Sequence, residues 1–492
     1  MTRQLRRQTE RKIKRIKIVG SDIKLTSSGG LGTILEIFDK SPWAEEFRAC
    51  LPERVSHRST GSYLLALMVM AGHIHGVECL SDLSRIKDDP YVAELFEDTP
   101  AAVRTVGDFL KDFEVKHIDK LNTFLNNMSR DIFKHLQDNL PESFRPNKMI
   151  LDMDSTHHVH YGEMIEGLAW NYKNEWCLES QVVFNQLGLC HGVQLRSGNT
   201  KSGTDAALFL RTIMDDGKTQ RKRRLEAKEY FRADSAYCNQ DMIRECLSKG
   251  LLFTLTAHKG TTQWDRKLEA EGLSWQPWVY SEEDLKRAKK SDRELPKCEM
   301  ARLHWDPSWS EGTLKLPIII KRTWVTYCSL NDKAKHGQRS LFELNTVKEE
   351  GEWEYYAVVT NFDLTQWIYQ QVFEHHQKRG NSENFHKEEK YNYNLKNFPC
   401  RRLLSNHAWL LLAQVAHNMI RWIALIENPE KPHYSKKIRN QFIFSPGKLV
   451  NHARQIILKV SHEFAKEVLK LKEGLQFPER LSAQIYPHKG CG

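Results

Sequence analysis

The sequence predicts an α/β protein whose central core is interrupted by a β-rich insertion and flanked by an N-terminal helical domain and a C-terminal helical region. Residues 149–258 alternate between strand and helix spacing, residues 259–353 lose the helical spacing, and apolar residues recur at helical spacing from 62 to 113. The expected domains are 1–140 (a basic arm and helices), 145–258 and 354–430 (two parts of one core), 259–353 (the insertion) and 431–492 (the C-terminal region).

The central segment gives the order strand, hairpin, helix, strand, helix, strand. The runs that supply it are Met149–Asp154, Leu178–Phe184, Leu189–Leu195, Ala206–Met214, Tyr230–Ala233, Gln240–Leu247 and Leu251–Leu255, with a last strand at Tyr355–Asn361. This is the element order of an RNase H-like core.

Three acidic residues stand where a divalent-metal site needs them. Asp154 closes a buried-strand run, Asp234 directly follows another, and Glu383 lies in a helix-like stretch far downstream. Two Mg²⁺ ions about 4 Å apart activate an attacking oxygen and neutralise a leaving oxygen, and Mg²⁺ takes oxygen ligands. A single aspartate after a strand often only caps the next helix. It is therefore the three acidic residues together that indicate a metal site.

The stretch around Glu383 also predicts a cationic helix face. On a continuous helix, His376, Arg379, Glu383 and Lys390 fall within an arc of about 60°. Such a face presents a metal ligand among cations, which suits a phosphodiester.

These motifs resemble those of the DDE transposases of bacterial insertion sequences, in the cut-and-paste group with a β-rich insertion before the glutamate helix. The matching segments are Asp154-Ser155-Thr156, Arg232-Ala233-Asp234-Ser235-Ala236, and Arg379-Gly380-Asn381-Ser382-Glu383 followed by Lys390. The resemblance covers residues 62–425 and departs at His376, where the family usually has tyrosine.

The resemblance implies that Asp154, Asp234 and Glu383 are the catalytic residues and hold Mg²⁺, for which Mn²⁺ is expected to substitute. It implies that His376, Arg379 and Lys390 contact DNA phosphates. It further implies cleavage at terminal inverted repeats through a hairpin, strand transfer into target DNA, and a homodimer in the synaptic complex. A metal-dependent nuclease without strand transfer and a non-catalytic DNA-binding repressor remain alternatives.

Composition agrees with a partner that is a polyanion. Lysine and arginine number 73 against 63 acidic residues, giving a formal net charge of +10. The basic stretch 3–17 is either an arm that tracks DNA or a solvated tail, and the helices after it either read DNA by a helix-turn-helix or form an ordinary bundle. The basic residues Arg454, Lys459, Lys466, Lys470 and Lys472 likewise contact DNA or a second subunit, or are merely solvated.

The same composition predicts a cytoplasmic protein that does not enter a membrane, and the resemblance implies a bacterial protein associated with the nucleoid. The N-terminal residues are basic without an apolar core after them, so no secretory signal is expected. The apolar segment 408–422 contains polar residues and a charge, which favours a buried core helix. Ten scattered cysteines without C-x-x-C spacing predict neither a zinc site nor a disulfide framework.

Tryptophans concentrate in the insertion. Seven of the thirteen lie there, at positions 264, 275, 278, 305, 309, 324 and 353. Most are expected to fill a β core, but one could stack on a base flipped out of the DNA.

Overall fold

The computed structural model describes residues 20, 22–54, 60–96, 100–214, 228–270, 272–292, 294–326, 351–452 and 455–475. The basic stretch 3–17 lies outside these residues. The first elements of the described chain are β1 (Leu25–Thr26), α1 (Leu31–Asp39), α2 (Trp43–Cys50), α3 (Ser62–His75), α4 (Leu83–Lys87), α5 (Pro90–Leu95), α6 (Val103–Lys111) and α7 (Val115–Asn139).

A ten-stranded mixed sheet forms the centre of the described residues. Its strands are β2 (Met149–Val159), β3 (Ala169–Trp170), β4 (Trp176–Asn185), β5 (Cys190–Ser197), β6 (Glu229–Ala233), β7 (Leu252–Thr256), β8 (Gln276–Pro277), β9 (Cys298–Trp305), β10 (Leu316–Thr326) and β11 (Gly351–Thr360). They lie in the order β3-β4-β2-β6-β7-β11-β10-β9-β8, with β5 paired to β4. Strands β2, β6 and β7 run parallel, and the other pairings are antiparallel. The sequence prediction of an α/β protein is confirmed at this level.

The strands β8, β9 and β10, which the sequence places in an insertion, extend this same sheet. They join it through β11, which pairs with β10 on one side and with β7 on the other. The tryptophans here pack mostly inward: Trp264 and Trp305 are buried, and Trp275 and Trp309 are partly buried against the same core. Most of them are therefore structural, as expected for a core.

Helices cover both faces of the sheet. After α7 come α8 (Ala206–Met214), α9 (Gln240–Ser248), α10 (Lys259–Thr262), α11 (Trp264–Ala270), α12 (Glu282–Ser291), α13 (Tyr369–Gln377), α14 (Ser382–Asn392) and α15 (Leu403–Glu427). Because side chains alternate along a strand, Met149, Leu151 and Met153 face the core under α8 and α9, whereas Ile150 faces α13.

The N-terminal helices share one hydrophobic core with the sheet. A single buried cluster contains residues from α1 to α7, from β4 and β5, and from α15. Helix α15 is long and apolar enough to span a membrane, but 94% of its most apolar window is buried inside the protein. A bent pair of helical segments, Ser62–His75 with Leu80–Lys87, passes the same test only if counted as one span.

The sequence predicted a wholly helical C-terminal region, and this prediction is wrong. It contains α16 (Ser435–Phe442), a hairpin of β12 (Gly447–His452) and β13 (Gln455–Lys459), and α17 (His462–Gly474). Strand β12 also pairs with β1, so the two ends of the described chain meet in a three-stranded sheet. The β-branched Ile456 and Ile457 favour a strand over a helix here. Arg454 lies outside the described residues.

Candidate active site

Asp154 lies where β2 loses one of its two neighbours. Met153 pairs with Ala233, the last residue of β6, whereas β2 continues to Val159 along β4. The expectation that the strand ends at Asp154 is therefore wrong, because the antiparallel partner β4 prolongs it. Asp154 still marks the end of the parallel ladder, and its carboxylate lies beside the open edge that β6 leaves.

Asp234 directly follows β6, as expected from the sequence. Its Oδ1 accepts a hydrogen bond from the Ala236 backbone N–H at 2.9 Å and caps a 3₁₀ turn, Ser235–Tyr237. Burial raises the pKa of the Asp234 carboxyl, and the negative charge of Asp154 raises it further. Because Met153 pairs with Ala233 in the adjacent parallel strand, Asp154 and Asp234 follow at neighbouring positions, where two carboxylates repel each other.

Arg379 neutralises this acidic pair. Its Nη1 donates to Oδ2 of Asp154 at 3.1 Å. Burial alone would lower the pKa of the guanidinium, but Asp154 and Asp234 raise it, so Arg379 remains charged. The sequence predicted a cation near the aspartates but not this direct contact.

A buried ion pair, which the sequence analysis missed, supports the site from below. Arg232 donates from Nε and Nη2 to the two oxygens of Asp152, each at 2.6 Å, and both side chains are 2% exposed. Its Nη1 donates to the backbone carbonyl of His375 in α13, also at 2.6 Å. The signal for it was present, since each residue stands two positions before a site aspartate, and strand alternation places Asp152 on the same face as Asp154.

His376 lies in α13 and is buried. Its Nδ1 is 3.1 Å from Oγ1 of Thr254, and its Nε2 is 3.0 Å from Oγ1 of Thr256. Burial, together with Arg379 and Arg232, lowers its pKa to about 3, so the ring is neutral. Both nitrogens of His376 contact hydroxyl groups of β7, which differs from the phosphate contact that the resemblance implies for this residue.

The predicted continuous helix face is also broken. Helix α13 ends at Gln377, a 3₁₀ turn spans Lys378–Asn381, and α14 begins at Ser382. Gly380 and Asn381 are weak helix formers, which accounts for the change of winding. Arg379 thus lies on the turn, whereas Glu383 lies exposed in the first turn of α14.

Lys390 connects α14 to β2. Its Nζ donates to the backbone carbonyl of His157 at 2.9 Å, three residues along the strand from Asp154. Burial lowers the pKa of this ammonium group. The cation therefore lies at the open edge of β2, three residues along the strand from Asp154 and not among the aspartates.

The arrangement fits a cation held by few protein ligands. In the described part of the chain, no three histidine, cysteine, aspartate or glutamate side chains are grouped closely enough to hold a metal ion. Asp154 and Asp234 nevertheless supply adjacent carboxylates, and Mg²⁺ needs only one or two of these when water and substrate phosphates complete its shell. Glu383 is not part of this group.

A cleft of about 550 Å³ opens on the same face of the sheet, toward the start of β2. Lys148, Lys378 and Trp367 line it, together with the Asp152–Arg232 pair. Burial and the charge of Lys378 lower the pKa of Lys148. Cations thus continue from Arg379 along this face.

The sheet, the paired aspartates and the arginine above them define the class: an α/β protein whose acidic site, surrounded by cations, is suited to a phosphodiester. The family model described as Transposase DDE domain group 1 matches residues 8–475, so the chain belongs to this transposase family. The resemblance seen in the motifs is thereby confirmed. Membership implies an enzyme that acts on DNA, and DDE transposase domains generally use divalent metal ions. No curated protein matches the chain.

Proposed function

We propose that this protein cleaves DNA at the terminal inverted repeats of a transposon in the presence of Mg²⁺, and then transfers the freed strands into target DNA. The observation that carries the proposal is the adjacency of Asp154 and Asp234 beneath Arg379. Mg²⁺ supplies Lewis-acid activation and charge neutralisation when bound, and Mn²⁺ is expected to replace it.

The topology supports an RNase H-like core for this chemistry. The path β5-β4-β2-β6-β7 joins an antiparallel meander to two parallel strands, with helices between them. Asp154 and Asp234 stand on adjacent central strands of that path. A site between adjacent parallel strands is open at their carboxyl ends, so a DNA strand can reach both carboxylates.

In the proposed reaction, water attacks the phosphodiester at the end of the element and releases a 3′-hydroxyl. This hydroxyl attacks the opposite strand to form a hairpin, and after the hairpin opens it attacks target DNA. Asp154 and Asp234 hold the cation, and Glu383 completes the ligand set once DNA is bound. Arg379 and Lys390 hold flanking phosphates, and His376 positions the turn that carries Arg379.

We further propose a homodimer in the synaptic complex, because two ends must be joined in one assembly. The enzyme acts in the bacterial cytoplasm on double-stranded DNA.

Incubation of the full-length protein with Mg²⁺ and a labelled terminal inverted repeat tests the proposal. Hairpins and joined products support it, nicks alone indicate a nuclease, and binding without cleavage indicates a repressor. Asp154→Asn and Asp234→Asn should abolish cleavage while binding persists, and the exposed Asp306→Asn serves as a matched control.

A further inference from the structure

The part of β2 beyond Asp154 projects past the parallel sheet, and exposed aromatic side chains follow it in the chain, after the end of β2, in β3 and in the turn between β3 and β4. From Ser155 to Val159, β2 pairs with β4 but no longer with β6. Of the thirteen tryptophans, all of which lie in the described residues, Trp170 alone is largely exposed, at 62%. Tyr172 is 81% exposed and Tyr161 101%. We call Tyr161, Trp170, Tyr172 and Trp176 the aromatic ledge.

The ledge is held in place by its own short hairpin. Oδ1 of the buried Asn171 accepts hydrogen bonds from the backbone N–H groups of Lys173 and Glu175, at 2.8 and 2.9 Å. The Trp176 indole donates to the carbonyl of Gly162 at 3.0 Å, and its ring lies 5.5 Å from that of Trp170. Because Trp176 and Trp170 are fixed in this way, their rings lose little conformational freedom when a ligand binds.

Cations stand beside these rings. Lys173 Nζ lies 5.4 Å from the centre of the Tyr172 ring, and Lys390 reaches the backbone of His157, whose own ring is 6.0 Å from Tyr172. Burial, together with the charge of Lys173, lowers the pKa of His157, so this ring is neutral at neutral pH. Exposed aromatic faces with a lysine beside them match the bases and phosphates of a DNA strand.

The distance along β2 relates the ledge to the site. At about 3.3 Å per residue, His157 lies about 10 Å from Asp154 and His160 about 20 Å. The backbone N–H of His160 donates to the carbonyl of Trp176, which places the tryptophan pair near the farther point. At the rise of about 3.4 Å per nucleotide of duplex DNA these distances correspond to roughly three to six nucleotides, and an extended single strand covers them with fewer.

We propose that the aromatic ledge binds unpaired bases of the DNA strand that passes Asp154, by stacking them on Trp170 and Tyr172. The inference rests on the proposed function, since it assigns part of the substrate to a surface outside the carboxylate site. It places a base-stacking surface outside residues 259–353, in the hairpin that follows β2. Stacking accepts any base, so the ledge favours unpaired over paired DNA without reading sequence.

Fluorescence anisotropy of the full-length protein tests the inference, with a chelator present to prevent cleavage. The probes are a labelled mixed-sequence single strand and the same strand in a duplex. Trp170→Ala and Tyr172→Ala should each weaken single-strand binding by roughly 5- to 150-fold, the range for loss of one stacked base. Duplex affinity should change by less than about twofold. Tyr434→Ala removes an exposed aromatic ring outside the ledge and should change neither.

Two further variants separate stacking from simple apolar contact. Trp170→Phe should recover most of the single-strand affinity, whereas Trp170→Leu should not. Equal losses on both probes, no loss on either, or equal recovery by Leu and Phe would overturn the inference. If the variants lower single-strand affinity and not duplex affinity, but the wild-type protein never cleaves DNA with Mg²⁺, the inference stands and the proposed function fails. If the wild-type protein binds neither probe, both fail.

Discussion

The buried pair Asp152–Arg232 offers a sharp test of how the site is supported. Both side chains are 2% exposed, and Arg232 makes three hydrogen bonds, two to Asp152 and one to the carbonyl of His375. Arg232→Met keeps a similar length but leaves a buried carboxylate without its partner. Breaking a buried pair in this way costs about 3–5 kcal/mol, a large share of the roughly 5–15 kcal/mol that stabilises an ordinary domain.

Urea denaturation followed by circular dichroism measures this loss. The double variant Asp152→Leu with Arg232→Met should recover most of it, because no buried charge then remains. Lys134→Met breaks the exposed pair Lys134–Asp138 and should cost less than about 1 kcal/mol. If Arg232→Met cost as little as Lys134→Met, or if the double variant were no more stable than the single one, the assignment of the pair as a structural support would be refuted.

Three further predictions follow from the site. Arg379→Ala should reduce hairpin formation more than initial nicking, measured on labelled ends, because a sharply bent strand needs its flanking phosphate held; equal losses would show that Arg379 only supports the fold. The pKa of His376 is lowered to about 3, below the usual value of 6.5. Because the unfolded chain then takes up a proton at a higher pH than the folded protein, the unfolding free energy is highest above pH 6.5 and falls as the pH decreases from 6.5 toward 3. The variant His376→Gln should flatten that part of the stability profile, and an unchanged profile would contradict the burial. Because burial and Asp154 raise the pKa of Asp234, Mn²⁺ binding measured by calorimetry should strengthen as the pH rises through that pKa; an affinity that does not change with pH would contradict the raised pKa.

The sequence by itself was sufficient for the features that depend on local order. Asp234 could be located because a buried parallel strand reads as an apolar run, and the carboxylate after it stands at the end of the run. The alternation along residues 149–258 predicted the mixed α/β class for the same reason, and the motifs around Asp154, Asp234 and Arg379 pointed to the transposase family that the family model confirms. These features depend only on the type and spacing of residues that are close together in the sequence.

The tertiary structure decided what depends on partners far along the chain. Strand β2 continues past Asp154 because β4 pairs with it, and β8 to β10 extend the central sheet because β11 lies between β10 and β7. The buried position of His376 depends on Thr254 and Thr256 in β7, more than a hundred residues earlier. Trp170 is largely exposed and the other tryptophans are not, because distant segments of the chain cover those other rings. Hydrogen bonding between strands and burial are properties of contacts between distant segments, so a periodic pattern in one segment can predict an element but not its neighbours.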